Sequence, residues 1–305
     1  MRLGLNLVGV RPDRMPALAA RAEELGYESV FVPDHVVIPV EFSSEYPGTD
    51  DGAFPYGAAV PLFDPWTVLA TIGVATTRIR LGTAVYLLGL RHPILTARHA
   101  VTLEALVGPR LVLGVGVGWL TEEFAALGVD PRTRFSRTEE AAVALRSLWT
   151  EPGAGFHGRH FDVPPVHLVP SPASQPHPPI LFGGDSDGAL RRALRFGDGW
   201  MSGGVAGDVA GVARLVDRLA AVRVTLLADG DEAFDPARAF GITVLHPAPA
   251  AADVARMAEL GVERVVVMPW VTSRDAPEAI ERFMAEVADR VDVEPADRPA
   301  ADRQS

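Results

Sequence analysis

The sequence feature that most constrains the fold is a regular alternation between short apolar runs and helical patterns, repeated eight times along the chain. Continuous apolar runs are typical of parallel strands that are buried on both faces. Eight strand–helix units within about 290 residues predict an α/β fold of the (β/α)8 barrel type. A doubly wound open sheet is the alternative, but the sequence shows neither a dinucleotide fingerprint nor a domain break.

The units indicate a single barrel domain over residues 1–292. Residues 153–178, rich in Pro, His and Gly, form an insertion before the fifth strand, for which a hairpin and a loop are expected. Residues 293–305 are mostly Pro, Ala, Asp and Arg and are expected to be a disordered tail. No apolar run is long enough to cross a bilayer and the N-terminus lacks a signal-peptide pattern, so a cytoplasmic protein without a membrane partner is expected.

Composition excludes several kinds of chemistry. All 28 basic residues are Arg, and the chain contains neither Lys nor Cys. Schiff-base and pyridoxal-phosphate catalysis need a lysine amine, and thiol catalysis and iron–sulfur clusters need cysteine, so these classes are excluded. The net charge of −11 without an arginine stripe argues against a nucleic-acid partner and leaves a small molecule. No histidine spacing is typical of a metal site, so none is expected.

Active sites of such barrels lie at the carboxyl ends of the strands, which makes the strand ends the places to examine. Asp34 and His35 follow the second strand and suit proton handling or ligand orientation, although a capped loop would also explain them. The fourth strand carries Gly114, Gly116 and Gly118, which we interpret as clearing space for a planar ring, although a tight strand-to-helix turn is the alternative.

The fifth strand leads into Gly183, Gly184, Asp185 and Ser186, ahead of a helix. Glycines before a helix N-terminus present N–H groups to an anion, so this turn is a candidate phosphate cradle. The carboxylates of Asp185 and Asp187 count against that reading, and a plain helix cap is the alternative.

An ordered set of motifs resembles the luciferase-like flavin and deazaflavin oxidoreductases, most closely the subgroup assigned coenzyme F420. The resemblance covers about residues 2–290. Its main motifs are Val32-Pro33-Asp34-His35, Asp64-Pro65-Trp66, Leu81-Gly82-Thr83, Arg91-His92-Pro93, Glu122-Glu123-Phe124 and Asp198-Gly199-Trp200.

The resemblance implies a flavin-type ring across the strand ends, with His35 as the catalytic residue facing it. It also implies a cis peptide bond between Ala84 and Val85 in the third strand. The cofactor-binding residues that it implies are Asp34, Ala84, Val85, Gly116, Val117, Gly118, Gly183, Gly184, Asp185 and Ser186.

Two positions depart from the well-studied F420 dehydrogenases. Trp119 stands where those enzymes have a proton-donating glutamate, and Pro39 replaces a tryptophan. Sugar-phosphate dehydrogenation is therefore not expected, and the absence of Lys agrees. Trp66, Trp119 and the loop over residues 37–63 are expected to shape an apolar substrate pocket. The candidates in that loop for a replacement proton donor are Tyr46, Tyr56, Glu41 and Glu45.

The sequence thus predicts an F420-dependent oxidoreductase that moves a hydride between the deazaflavin and a small organic substrate. An FMN-dependent monooxygenase that uses reduced flavin and O2 is the alternative, and a flavin-binding protein without turnover is a third possibility. The resemblance also implies a homodimer that packs through the helices over residues 65–75 and 93–107, both of which are apolar on more than one face.

Overall fold

The computed structural model describes residues 1–49, 51–57, 60–204 and 207–297. Their β-structure follows the predicted apolar runs closely. The strands are β1 (Arg2–Asn6), β2 (Ser29–Val32), β3 (Arg80–Thr83), β4 (Tyr86–Leu87), β5 (Leu111–Gly116), β6 (Phe156–His157), β7 (Asp162–Val163), β8 (Ile180–Gly183), β9 (Gly199–Met201), β10 (Gly241–Leu245) and β11 (Arg264–Val267).

The strands of the main sheet are all parallel and close into a barrel. The hydrogen-bonded order is β3-β2-β1-β11-β10-β9-β8-β5-β4, and β3 also pairs with β5, which completes the ring. Because β3 and β4 are two parts of one interrupted strand, the ring has eight strand positions, as the alternation predicts. Each strand position is called a stave below. The (β/α)8 barrel is therefore confirmed, and its strand ends meet at one mouth.

Helices surround the barrel and cover the apolar outer faces of its strands. They are α1 (Met15–Leu25), α2 (Pro65–Ala75), α3 (Pro93–Val107), α4 (Thr121–Ala126), α5 (Arg134–Thr150), α6 (Asp187–Phe196), α7 (Val209–Asp229), α8 (Ala251–Glu259) and α9 (Ala276–Ala288).

Local signals explain where several helices begin and end. Asp64 caps α2 by accepting a hydrogen bond from the Thr67 N–H at 2.9 Å, with Pro65 in the first helical position. Gly26 ends α1 in the left-handed conformation, with φ of 96°, which a side chain would disfavour.

The predicted insertion before the fifth strand contains an antiparallel hairpin of β6 and β7, as expected. The first residues of the predicted tail differ from the expectation. Ala296 is buried, and the Glu294 N–H donates a hydrogen bond to the Met1 carbonyl at 2.9 Å, because this segment packs back on the barrel. Residues 298–305, the rest of the predicted tail, lie outside the described residues.

Candidate active site

The barrel mouth contains a cavity of about 280 Å³ lined by residues from the ends of seven staves. Apolar side chains, including Val8, Leu62, Leu87 and Leu245, form much of its wall. The sequence-predicted residues that the structure brings together around it are Asp34, His35, Ala84, Val85, Gly116, Val117, Gly118, Trp119, Gly183 and Gly184.

The third stave is interrupted by a bulge at the mouth. The peptide bond between Ala84 and Val85 is cis, as the family resemblance implies, and it separates β3 from β4. Both residues line the cavity, so the bulge presents backbone as well as the Val85 side chain to a ligand.

Gly114 and Gly116 make room for this bulged stave, a role that the sequence did not indicate, while Gly116 and Gly118 line the cavity where a planar ring is predicted. A Cβ on Gly114 would lie 2.0 Å from the Thr83 carbonyl oxygen, and one on Gly116 would lie 2.4 Å from a Val85 methyl group. Gly118 has φ of 77°, so its role is the tight turn after the strand. The protein's own backbone occupies the space that Gly114 leaves.

Asp34 stabilises the bulge through the hydrogen bonds of its carboxylate. Its buried carboxylate accepts two hydrogen bonds from the Arg91 guanidinium, with Oδ1 at 2.8 Å from Nη2, and a third from the Leu87 N–H at 2.9 Å. The Arg91 guanidinium also lies 4.3 Å from the centre of the Tyr86 ring, a cation–π contact. Since these partners occupy the Asp34 carboxylate, its role in the site is to position β4.

His35 is held by a carboxylate that the sequence did not assign to the site. Nδ1 of His35 lies 2.7 Å from Oε2 of Glu123, whose side chain is fully buried. The other oxygen of Glu123 accepts hydrogen bonds from the Val36 N–H at 2.6 Å and the Val37 N–H at 3.2 Å. An acceptor on Nδ1 places the ring proton there and leaves Nε2 for a ligand in the cavity.

In the sequence Glu123 belongs to a motif of the family resemblance and carries no predicted role, and an acidic residue in the first turn of a helix is common for structural reasons alone. Arg91 also belongs to a motif of the resemblance without a predicted role, and its pairing with Asp34 spans 57 residues. The signal that could have found Glu123 is its burial: a fully buried carboxylate requires partners, and His35 is the nearby titratable group.

Aromatic side chains of the loop over residues 37–63 pack around Trp119 and His35. The Trp119 ring lies 5.3 to 5.9 Å from the rings of Phe42, Tyr46, Phe54 and His35, mostly edge to face. The indole N–H of Trp119 is buried and has no hydrogen-bond partner among the described residues. Trp119 therefore forms part of the cavity wall, and its role as a substrate-pocket residue stays a prediction.

Trp66 does not belong to the pocket, which corrects the prediction made for it. Its side chain is buried in α2, with its ring 5.4 Å from that of Tyr86 and 5.5 Å from that of His99. Trp66 lines neither this cavity nor the larger cleft that adjoins it at Gly183 and Gly184. The reason is that α2 turns the Trp66 side chain toward α3.

The four candidate proton donors are placed differently. Tyr46 and Tyr56 line the mouth cavity with His35, and burial raises the pKa of both phenols, so both are neutral donors at neutral pH. Glu45 lines the adjoining cleft, whereas Glu41 is exposed and lines neither.

Glu122 attaches the same loop to α4. Its carboxylate accepts hydrogen bonds from the Ser43 N–H at 2.7 Å and the Ser44 hydroxyl at 2.7 Å. These donors stabilise the charged form, and they lower the pKa of Glu122 to about 2.

We expect the hydrogen bonds from Ser43 and Ser44 to the Glu122 carboxylate to contribute less to stability in acid. The pKa of Glu122 is depressed from 4.5, so its contribution to stability is complete above about pH 4.5 and is lost as the pH falls toward 2. Glu122→Gln should lower the midpoint of urea unfolding at pH 7, and the difference from the wild type should shrink between pH 4.5 and pH 3. Glu41→Gln, an exposed change in the same loop, is the matched control. A difference that is constant across this pH range would contradict the assignment.

A glycine turn links the mouth to a second, larger cleft. Gly184 has φ of 116°, and Ser186 caps α6 by accepting from the Ala189 N–H at 3.2 Å. The acids that argue against a phosphate here have partners, since Asp185 accepts from the Gly203 N–H at 2.7 Å and Asp187 pairs with Arg218 at 2.6 Å. The turn therefore keeps the features of an anion site.

Within the part of the chain that the structure describes, no group of three or more His, Asp or Glu side chains could hold a metal ion. Within those same residues, no helix is long and apolar enough to cross a membrane.

Comparison with known families shows the class of protein to which this barrel belongs. The chain belongs to the luciferase-like monooxygenase family, whose model matches residues 3–263. Members similar to this chain are flavin- or F420-dependent oxidoreductases and monooxygenases.

Three relatives show the range within the family. An uncharacterized protein of Mycobacterium tuberculosis is 40% identical over 206 residues, covering 68% of this chain and 70% of its own. The F420-dependent glucose-6-phosphate dehydrogenase of Nakamurella multipartita is 28% identical and covers 89% of this chain and 82% of its own. The FMNH2-dependent dimethylsulfone monooxygenase of Pseudomonas putida is 30% identical and covers 72% of this chain and 56% of its own.

The fold is also shared with solved structures. An F420-dependent secondary alcohol dehydrogenase, determined with an F420-acetone adduct, superimposes with a TM-score of 0.72 at 17% identity. The superposition covers 94% of this chain and 98% of that one.

Proposed function

We propose that this protein is an F420-dependent oxidoreductase that transfers a hydride between the deazaflavin and a small, uncharged organic substrate. The observation that carries the proposal is the His35–Glu123 pair, which opens on an apolar cavity beside the β3–β4 bulge. The longer match to an F420-dependent relative than to an FMNH2-dependent one, 89% against 72% of this chain, favours F420 over FMN.

The residues present fit a flat, mostly apolar ring with an anionic side chain. The ring would be held by the bulge at Ala84 and Val85 and by the backbone of residues 116–118, and the phosphate by the turn at residues 183–186. Two buried N–H donors border the cavities and have no hydrogen-bond partner among the described residues. They are Trp119 Nε1 and Arg134 Nε, and either could donate to a bound ligand. When bound, F420 supplies a carbon centre that accepts or donates a hydride.

His35 handles the proton that accompanies hydride transfer. Because Glu123 accepts the Nδ1–H, Nε2 carries a lone pair and can take the proton of a substrate hydroxyl. In the opposite direction the protonated imidazole returns it to a developing alkoxide, and the buried carboxylate stabilises the imidazolium. The Val36 and Val37 N–H groups keep the carboxylate in place during both steps.

The wall of the cavity indicates the substrate class. The carboxylate on the cavity wall is that of Asp34, which Arg91 engages, and His35 lies beside it. Aromatic rings of Trp119, Tyr46 and Phe54 supply the remaining surface. An alcohol or carbonyl compound without a phosphate or carboxylate matches this wall, whereas a sugar phosphate does not.

The proposal is tested by titrating the purified protein with F420 and with FMN and following cofactor fluorescence. We expect saturable binding of F420 and at least tenfold weaker binding of FMN. Tighter binding of FMN, with O2 consumption on reduction, would establish the monooxygenase alternative. Cofactor binding without turnover on any alcohol or carbonyl compound would leave the flavin-binding alternative.

We also propose that the protein forms a homodimer through α2 and α3. Val74 on α2 and Leu95 and Leu106 on α3 expose 73%, 57% and 62% of their surfaces, and these two helices pack side by side. Large apolar side chains exposed together on adjacent helices are typical of a protein interface.

Leu106→Glu is expected to disrupt this dimer because it places a charge at an apolar contact. Light scattering during gel filtration should show twice the chain mass for the wild type and a single chain mass for the variant. Leu127→Glu, which changes another exposed leucine away from α2 and α3, should leave the mass unchanged. A monomeric wild type would contradict the proposal.

A further inference from the structure

A cleft of about 860 Å³ continues from the mouth cavity, and the mechanism above does not use most of it. The two spaces share the Val117–Trp119 wall and the glycine turn at Gly183 and Gly184. Beyond that turn the cleft runs along α6 and α7, so a ligand extending from the mouth would enter it.

Four arginines from three helices line this cleft, in a chain whose net charge is −11. Two have anionic partners: Arg192 pairs with Glu139 at 3.0 Å and Arg218 with Asp187 at 2.6 Å. The other two, Arg134 and Arg214, have no such partner among the described residues.

Arg214 is exposed on α7 and makes no hydrogen bond or ion pair with any described residue. Arg134 donates from Nη1 to the Pro131 carbonyl at 3.0 Å, but its buried Nε has no acceptor. The acids on the cleft wall are Glu45 and Asp185, and Asp185 accepts from the Gly203 N–H. Two guanidinium groups are thus left to bind an anion longer than one phosphate.

We propose that this cleft binds the anionic side chain of F420 and that Arg134 and Arg214 make the protein selective for long-tailed forms of the cofactor. The inference rests on the proposed function. F420 carries a phosphodiester, a lactyl unit and a run of glutamates beyond its ribityl chain, whereas FMN ends at its phosphate. The glycine turn takes the phosphodiester, and the arginines take the carboxylates that follow it.

The test compares three ligands by fluorescence titration of the full-length protein. They are 7,8-didemethyl-8-hydroxy-5-deazariboflavin, which has the ring of F420 but no phosphate, F420 with two glutamates, and F420 with five or six glutamates. For the wild type at low salt we expect the dissociation constant to fall from the phosphate-free deazaflavin to the two-glutamate F420, and again to the long-tailed F420. The total decrease should be about tenfold or more. At 0.5 M salt the step between the two F420 forms should shrink, because exposed charge pairs are screened.

The variant Arg214→Glu tests whether Arg214 contributes to binding of the cofactor tail. It should weaken the long-tailed F420 about tenfold while the phosphate-free deazaflavin binds as in the wild type. Arg256→Glu, the same charge change on α8 away from both cavities, should leave all three constants unchanged. Equal affinity of the wild type for both F420 forms, or an equal loss for all three ligands in Arg214→Glu, would overturn the inference while leaving the proposed function intact. Failure of every deazaflavin to bind would overturn both.

Discussion

Replacement of His35 by alanine is expected to lower kcat for alcohol oxidation about 10²- to 10⁴-fold, the usual contribution of a positioned acid–base group. F420 should still bind within a few-fold of the wild-type affinity, because the bulge and the glycine turn remain. The measurement is steady-state kinetics with F420 together with the fluorescence titration. A kcat within threefold of the wild type would remove His35 from the mechanism.

Glu123→Gln is the companion variant, because Glu123 acts through His35. An amide that donates to Nδ1 forces the proton onto Nε2, and the equivalent change in a Ser-His-Asp triad costs about 10⁴-fold in kcat. We expect a loss of about 10²-fold or more, and the pH dependence of kcat should change as well. A purely structural role for Glu123 would reduce the amount of folded enzyme without moving the pH profile.

The largest effect on stability is expected for Gly114→Ala. The added Cβ would lie 2.0 Å from the Thr83 carbonyl oxygen, and the Thr83 hydroxyl also donates to the Gly114 carbonyl at 2.7 Å. Because both groups are fixed within the barrel, the staves must separate, at about 3 kcal/mol, the upper end of typical overpacking costs. Thermal unfolding should show a Tm lowered by about 6 °C or more.

Gly188→Ala is the matched control for this prediction. Its Cβ would meet no atom closer than 3.9 Å, and the residue lies in the first turn of α6. The change should be neutral or stabilising by about 0.5 kcal/mol, because alanine is the better helix former. Equal destabilisation by the two substitutions would show that the close approach of β3 and β5 is not the cause.

The barrel could be predicted because each apolar run had to be buried on both faces, and only parallel strands covered by helices satisfy eight such runs. The mouth followed from the same rule, which placed His35 and Gly183 at one end of the barrel before any contact was known. The cis bond between Ala84 and Val85 came from the resemblance rather than from any local signal.

The residues that were missed act across long distances in sequence. Glu123 reaches His35 over 88 residues, and Arg91 reaches Asp34 over 57. Neither contact leaves a periodic signal, because it depends on how two loops meet after the barrel has closed. Trp66 was misplaced because it closely follows the loop over residues 37–63, whereas the rotation of α2 that buries its ring is set by packing against α3.

The two acids at the start of α4 bind the loop after β2 at separate points, with Glu123 holding its first residues and Glu122 holding Ser43 and Ser44. The hydrogen bonds that fix this loop around His35 are therefore made by residues before 45. Among the described residues after 45, the loop contacts the imidazole through the Phe54 ring, 6.0 Å away, and makes no hydrogen bond to it. Substrate preference can thus diverge independently of reactivity, and a library restricted to residues 45–63 is the rational starting point for directed evolution of this enzyme.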